Sequence, residues 1–287
     1  MPSLIDLRRR IRSVKNTQQI TKAMKMVSTA KLRRAQEAVL SARPYAQLLR
    51  RMLENVAAAA RNNEQASENP LLANREEKRI VILVLTGDRG LAGGFNATVI
   101  KAVNTFIGEH RGAHIELELM GRKGRDFFRR RWPNISGEHA ALFIRAVKLD
   151  DALEIARRTM DRFIKEEIDA VYIVGNEFKS IATQIVTTNR LLPVQVPEGG
   201  EQIDYIYEQP PEQLLASLLP RYVESAVYGA MLESAASEHA ARMRAMDAAS
   251  TNAADVIDTL TLTLNRVRQA SITKEIIEIV SGAAALG

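Results

Sequence analysis

The feature that most limits what this chain can fold into is a heptad repeat in its last quarter. Alternate steps of three and four from Leu215 reach Leu218, Tyr222, Leu232, Ala236, Met243, Met246, Ala253, Ile257, Leu260, Leu264 and Val267. Twelve of the sixteen positions on this path are apolar or aromatic, and Ser225, Gly229, His239 and Ser250 are the others. A 3.5-residue period held over more than seven heptads predicts a coiled-coil helix. Beyond Val267 the register shifts, and Ile272, Ile276 and Ile279 are expected to take over the seam as a stutter. At ~1.5 Å per residue, residues 212–285 would reach roughly 110 Å, longer than any compact domain. Two starts are open for the straight helix, Glu212 after Pro210-Pro211 and Pro220.

The partner for such a helix is expected at the other end of the chain. Residues 1–60 contain no glycine, whereas twelve of the fifteen glycines fall between Gly87 and Gly200. Ile11, Val14, Ile20, Met24 and Val27 suggest an apolar stripe, and Pro44 is expected to kink the helix near Ala42–Tyr45. The two ends can pair, as an antiparallel intrachain coil, if the domain between them brings its termini together. The organisation expected is an N-terminal coiled-coil helix over 1–60 and a polar linker or loose loop over 61–77. An α/β domain over 78–208 and a C-terminal coiled-coil helix over 209–287 follow.

The middle alternates strand and helix. Arg79–Thr86 is a continuous apolar run, as a buried parallel strand requires. Residues 95–109 read as a helix, Ile115–Met120 as a strand and Lys123–Arg131 as a short helix. Leu149–Glu167 reads as an amphipathic helix, with strands at Ala170–Val174 and Thr183–Thr188. This alternation predicts a small doubly wound, Rossmann-like sheet.

Charge narrows the function classes. The net charge of +6 conceals a first segment, residues 1–60, at +10. The pI near 9.6 suggests an acidic partner without naming it. With Arg8, Arg9, Arg10, Arg12, Lys15, Lys22, Lys25, Lys31, Arg33 and Arg34 in this segment, a nucleic-acid reading arises. Against it, no aromatic precedes Tyr45 to stack a base. A basic helix meeting an acidic protein surface is the other reading. The absence of cysteine excludes disulfides, thiolate metal sites and cysteine nucleophiles. His110 and His114 have i,i+4 spacing, but Gly112 argues against a helix there, so neither a metal site nor a bound cofactor is expected. Acid pairs such as Asp150-Asp151 suit a solvated helix face better than acid–base chemistry. No catalytic residue is expected. No apolar run reaches the ~20 residues of a membrane span. The opening residues lack the apolar core of a secretory signal.

Gly87-Asp88-Arg89-Gly90-Leu91-Ala92-Gly93-Gly94 stands where a phosphate-binding turn would stand, between a strand and a helix. It lacks the Lys-Ser/Thr of a P-loop, and its spacing is not G-x-G-x-x-G. A strand-to-helix turn presenting Arg89 is the reading preferred over nucleotide binding.

Three stretches carry a family resemblance: Ile11–Gln36 followed by Arg43-Pro44-Tyr45, then Thr86–Asn96, then Ser237–Leu286. Within the last, Ile272, Thr273, Glu275, Glu278, Gly282, Ala283 and Ala285 match the family pattern position by position. In this order, over nearly the full length, the chain resembles the gamma subunit of bacterial-type F-type ATP synthases. The resemblance implies a central-stalk rotor whose terminal helices pair as an antiparallel coiled coil inside a hexamer of alpha and beta subunits. A Rossmann-like domain then lies against the epsilon subunit and the c-subunit ring. It also implies a peripheral protein of the cytoplasmic face of the bacterial membrane, coupling proton-driven rotation to catalysis performed on other subunits.

Residue by residue, the resemblance implies that Arg268, Gln269 and Thr273, with Arg266 beside them, contact a loop of the beta subunit. Met24 and Arg89 correspond to positions near an acidic lever of beta. Ala92 stands where the family commonly has cysteine. Arg8, Arg9, Arg12, Lys15, Arg33 and Arg34 extend the partner-facing set, and Tyr205 and Tyr207 lie where the family approaches the c ring or epsilon.

Overall fold

The computed structural model describes residues 3–60, 69–195 and 209–284. Helix α1 is Leu4–Ala60, a 3-10 turn follows at Pro70–Leu72, and strand β1 is Arg79–Leu85. Then come α2 (Phe95–Glu109), β2 (His114–Met120), α3 (Arg122–Phe128), β3 (Ile135–His139) and α4 (Leu149–Ile164). Strands β4 (Ala170–Phe178) and β5 (Gln184–Leu192) precede the 74-residue helix α5 (Pro211–Ala284). The chain divides into two compact units, Met1–Ser28 with Arg242–Gly287, and Thr29–Ala241.

The larger unit holds a five-stranded sheet of order β3-β2-β1-β4-β5. Its first four strands are parallel, and β5 runs antiparallel to β4. Six of the seven β1 residues are buried, because the period-2 pleat sends them to two covered faces. Ile80, Ile82 and Val84 join Val99, Val103 and Phe106 of α2. Val81, Leu83 and Leu85 join Ile155, Ala156 and Phe163 of α4. That second face is also closed by Leu49, Leu53 and Val56 of α1 and by Leu215, Leu219, Val223 and Val227 of α5. Each such side chain contributes about 1.5–3 kcal/mol relative to exposure. The long helices are therefore part of the sheet's own core in this unit.

Local chemistry sets the element ends. Helix α4 stops at Ile164, short of the expected Glu167, because Glu166 takes a left-handed φ of 58°. Its amide donates to the Phe163 carbonyl (3.1 Å) and that of Glu167 to Arg162 (3.0 Å), a Schellman-type close. Helix α5 begins at Pro211, whose missing N–H is harmless in a first turn, and runs through Pro220. Of the two starts left open, the one beside Glu212 is the observed one. Pro44 lies inside α1 without ending it; the Leu40 carbonyl loses its donor on an exposed flank, and the helix continues. Strand β3 was not expected. Its sequence, Ile-Ser-Gly-Glu-His, is short and polar, and only pairing with β2 makes it a strand. Of the stretch expected to be a loose loop, residues 69–77 are tied down. Asn69 caps the 3-10 turn, Leu71 is buried, and the Leu71 carbonyl accepts from the Val194 amide at 2.9 Å.

At the carboxyl end of β1 the sheet is closed by polar packing. The Thr86 hydroxyl accepts from the Gly124 amide (2.9 Å). Gly121 has φ +105°, and a Cβ there would overlap the Thr86 carbonyl oxygen. The buried Asp88 carboxylate accepts from the amides of Arg122 (2.9 Å), Ala141 (2.8 Å) and Phe143 (2.8 Å). Helix α5 covers this end. Glu238 reaches over Gly87 so closely that a Cβ on Gly87 would lie 2.7 Å from its carboxylate. Ser237 donates to the Asn176 carbonyl (3.4 Å), and Ala241 packs with Ala92 and Phe95.

The smaller unit pairs α1 and α5 antiparallel. Thr21 and Ser250 share a hydrogen bond between hydroxyls (2.7 Å), Gln18 donates to the Ser250 carbonyl (3.3 Å), and Lys25 pairs with Asp247 (2.6 Å). The α1 seam runs Leu4, Leu7, Ile11, Val14, Gln18, Thr21, Lys25 and Ser28, none of them exposed. This corrects the expected stripe. Ile20 and Val27 are 59% and 57% exposed, because the heptad places polar Gln18, Thr21, Lys25 and Ser28 on the seam instead. On α5 no position of the repeat from Met243 to Val267 is exposed. Ile272, Ile276 and Ile279, expected on the seam, are exposed. The pairing register sets Leu4 opposite residues near 267, so no α1 residue remains to cover them.

Two measurements test these contacts. Asp169, at the start of β4, accepts from the Arg79 amide (2.8 Å) and guanidinium (2.7 and 3.1 Å). Those bonds hold its carboxyl below the usual carboxylate range. A depressed folded pKa gives stability that is full above the unfolded value of about 3.9 and is lost as pH falls through the folded value. Asp169→Asn is therefore expected to cost about 1.5–3 kcal/mol in urea unfolding at pH 7, a gap that narrows below about pH 4. Gly87→Ala is expected to cost about 1–3 kcal/mol by crowding Glu238. In a Glu238→Ala background the same change should cost less than about 0.5 kcal/mol; equal costs in both backgrounds would deny the contact.

Candidate partner-binding surfaces

In doubly wound sheets, ligands bind beyond the carboxyl ends of the strands where the winding reverses. Here that point lies between β1 and β4, because β2 and β3 follow on one side of β1 and β4 lies on the other. Ser237 and Glu238 of α5 occupy it, Ser237 on the Asn176 carbonyl of β4 and Glu238 over Gly87 after β1. A phosphate there would meet the Glu238 carboxylate, while Asp88 turns to the other side of β1 and holds three amides beyond β2 and β3. The glycine loop is a strand-to-helix turn. Its outer side carries exposed Arg89 and exposed Leu91, the latter at a left-handed φ of 61°.

A second polar cluster lies under α4. Buried Glu118 on β2 accepts from Ser136 (3.2 Å), His139 and Arg158, and Glu116 accepts from Arg162 (2.9 Å). Burial pushes the His139 imidazole below its ordinary value, with Glu154 and Asp151 opposing. The charge on Glu118 is thus balanced mainly by Arg158. This is an ion ladder between strand and helix, built to hold α4 on the sheet. Its members spend their polar atoms on one another and present no open group to a substrate. Among the described residues no three His, Asp or Glu side chains converge as a metal-ligand set. His110 instead ends α2 and stacks on Phe106 at 4.0 Å between ring centroids.

What the structure offers to other molecules is surface. In the smaller unit, Arg8, Arg9, Arg12 and Lys15 are all exposed on α1, and Met24 is half-buried beside the seam. Arg266, Arg268, Gln269 and Thr273 are exposed on α5, where the Thr273 hydroxyl donates to the Gln269 carbonyl (3.0 Å). Arg268, Gln269 and Thr273 stand where α5 has outrun α1, so their sides are clear of the intrachain partner. Exposed apolar side chains flank both sets: Ile20, Met26 and Val27 on α1, and Ile276, Ile277, Ile279 and Val280 on α5. In the larger unit, Arg33 and Arg34 are exposed on α1, with Arg33 paired to Glu37 (3.2 Å). Tyr205 and Tyr207 lie outside the described residues. The closing role of Glu238 was missed from sequence. Its only signal was a carboxylate beside the small residues Ser237 and Ala241, on the buried side of a heptad helix. No helix among the described residues is long and apolar enough to cross a membrane.

Comparison with known proteins agrees with this architecture. The family model described as ATP synthase matches residues 3–286. The ATP synthase gamma chain of Solibacter usitatus is 64% identical over 285 residues, covering 99% of both chains. That of Pelotomaculum thermopropionicum is 51% identical over 289 residues, covering both chains fully. Among solved structures, a chain of the central stalk and c-ring of Tetrahymena thermophila mitochondrial ATP synthase is 26% identical. It superposes with TM-score 0.62 over 80% of this chain and 99% of that one. A chain of Euglena gracilis mitochondrial ATP synthase shares the fold at 19% identity, with TM-score 0.66 over 99% of this chain and 94% of that one. With its long paired helices and plugged Rossmann-like sheet, matched end to end at this identity, the chain belongs to the ATP synthase gamma-chain family.

Proposed function

We propose that this chain is the central rotor shaft of a bacterial F-type ATP synthase. It couples proton-driven rotation of a c-subunit ring to conformational change at catalytic sites on beta subunits, and it performs no chemistry itself. The observation that carries this reading is the single helix α5, which closes the sheet's ligand crevice at Glu238 and continues to an exposed tip at residues 268–281. A sheet plugged by its own helix is a mount and not a binding site. The helix that plugs it is the element that would carry torque.

The surface chemistry fits the role. A shaft turning past three similar faces needs contacts that form and break in sequence. Exposed Arg8, Arg9, Arg12, Lys15, Arg33, Arg34, Arg89, Arg266 and Arg268 offer ion pairs worth about 0–1 kcal/mol each in water. Met24 adds a soft apolar contact. On this reading the alpha and beta subunits surround the paired helices, with Arg266, Arg268, Gln269 and Thr273 against a beta loop. The epsilon subunit and c ring meet the sheet-bearing unit, with Tyr205 and Tyr207 toward them. The protein then sits peripherally at the cytoplasmic face of the bacterial plasma membrane. The rival reading, a basic coiled-coil nucleic-acid binder, draws support from neither the relatives nor the fold.

Reconstitution is the direct test. Mixed with alpha and beta subunits, the chain is expected to assemble into a complex that hydrolyses ATP, and failure to assemble would overturn the proposal. Arg268→Ala is expected to lower assembly yield or coupling severalfold, by about 1 kcal/mol of lost contact, while single-molecule rotation persists. Complete arrest of rotation in that variant would mean that one contact, and not many weak ones, drives the shaft.

A further inference from the structure

The larger unit has a cavity of about 460 Å³ between α1, α4 and α5 that none of the roles above uses. Its walls are Tyr45 of α1, Leu149 and Leu153 of α4, and Tyr228 of α5, with Gly229 among its lining residues and Arg221 at its edge. The size lies within the range of small-ligand sites, and the lining joins these aromatic and aliphatic walls to four charged side chains, Arg43, Arg221, Glu224 and Glu233. Gly229 is the informative residue. It stands in the interior of a 74-residue helix, where glycine is among the costliest residues. Close packing requires glycine at Gly87, Gly121 and Gly137, where an added Cβ would collide with a neighbour, but not at Gly108 or Gly112, where nothing lies within 4 Å. At Gly229 nothing lies within 4 Å of where a Cβ would be. No packing within the chain accounts for it, and what its missing side chain leaves is room in the cavity.

The charges at the cavity select a ligand. Arg43 pairs with Glu233 (3.7 Å), and Glu224 pairs with Arg157 (2.7 Å). Arg221 is exposed and is in no ion pair among the described residues, so the edge keeps one cation to offer. We propose that this cavity is a binding site for a small aromatic monoanion, its rings between Tyr45, Tyr228 and Leu153 over Gly229 and its acid group on Arg221. The site is formed wholly by residues of the larger unit.

The test uses the full-length chain and 8-anilinonaphthalene-1-sulfonate, an aromatic monoanion whose fluorescence rises in apolar surroundings. One saturable site is expected by calorimetry and fluorescence. Gly229→Ala should raise Tm by about 2 °C and weaken binding modestly. Gly229→Leu should occupy the floor of the cavity and weaken saturable binding at least tenfold, with the helical circular dichroism unchanged. Arg221→Ala should weaken binding about tenfold, and the wild-type affinity should fall with salt. Undiminished binding by a folded Gly229→Leu chain would place the probe elsewhere, for example on the exposed apolar tip of α5, and overturn the proposal. So would the absence of saturable binding by the wild type. If Gly229→Leu leaves probe binding intact but blocks assembly with alpha and beta subunits, the occupant is a partner's side chain and the small-ligand reading falls.

Discussion

The seating of α5 on the end of β1 is the constraint on which the closed end of the larger unit depends. Glu238 lies over Gly87, where an added Cβ would crowd its carboxylate, Ser237 donates to the Asn176 carbonyl, and Ala241 packs on Ala92 and Phe95. The same contact decides function negatively. Doubly wound sheets leave their reversal point open for ligands. This one fills it with a carboxylate from a distant part of the chain. Asp88, in the same turn, holds the amides of Arg122, Ala141 and Phe143 and so ties the turn after β1 to the segments after β2 and β3. A small glycine-rich turn has become a socket for a helix.

Most of the elements were legible because burial in a parallel sheet leaves a plain mark. Ile80–Leu85 is apolar throughout since both its faces are covered, and Leu149–Ile164 carries a clean helical stripe. The misreadings share one cause: pairing that composition does not announce. Strand β3 is polar and contains glycine, and it exists because the β2 edge offers it hydrogen bonds. Ile20 and Val27 looked like seam residues, but the helix faces its partner with Gln18, Thr21, Lys25 and Ser28. Ile272, Ile276 and Ile279 continue a heptad that no longer has a second strand. Periodicity reports which side of a helix is apolar, not whether anything covers it. The basic and apolar surfaces were readable as surfaces. The plug at Glu238 was not, because one acid in a long helix looks like any solvated charge.

The polar stretch of the paired helices has its own logic. A hydroxyl pair such as Thr21 and Ser250 is short, so the helix axes come close. It is also directional, so sliding by one turn leaves two buried hydroxyls without each other. Lys25 with Asp247 adds a charge match to the same register. An all-leucine seam would bury more area but would tolerate neighbouring registers more easily. For an element asked to transmit twist, fixed register matters more than a few kcal/mol of burial. The apolar positions are kept for the flanks, at Leu7, Ile11 and Val14 and on the α5 side at Ile257, Leu260 and Leu264.

The exposed apolar residues complete the argument. Ile276, Ile279 and Val280 lie at helical spacing on the last turns of α5, and all are more than half exposed. Residues of this size rarely cluster on the open surface of a monomer, because an uncovered apolar patch favours association. Grouped as they are beyond the reach of α1, they form an apolar helix end that the proposed rotor role would enclose in other chains. Smooth apolar contact is the one kind that does not resist rotation about the helix axis, since it has no direction to lose. Ion pairs fall off with distance and salt, so under the proposed rotor role they suit Arg266 and Arg268, where contact would come and go. Under that proposal the apolar tip and the charges beside it answer one constraint, a surface that must hold position while permitting it to turn.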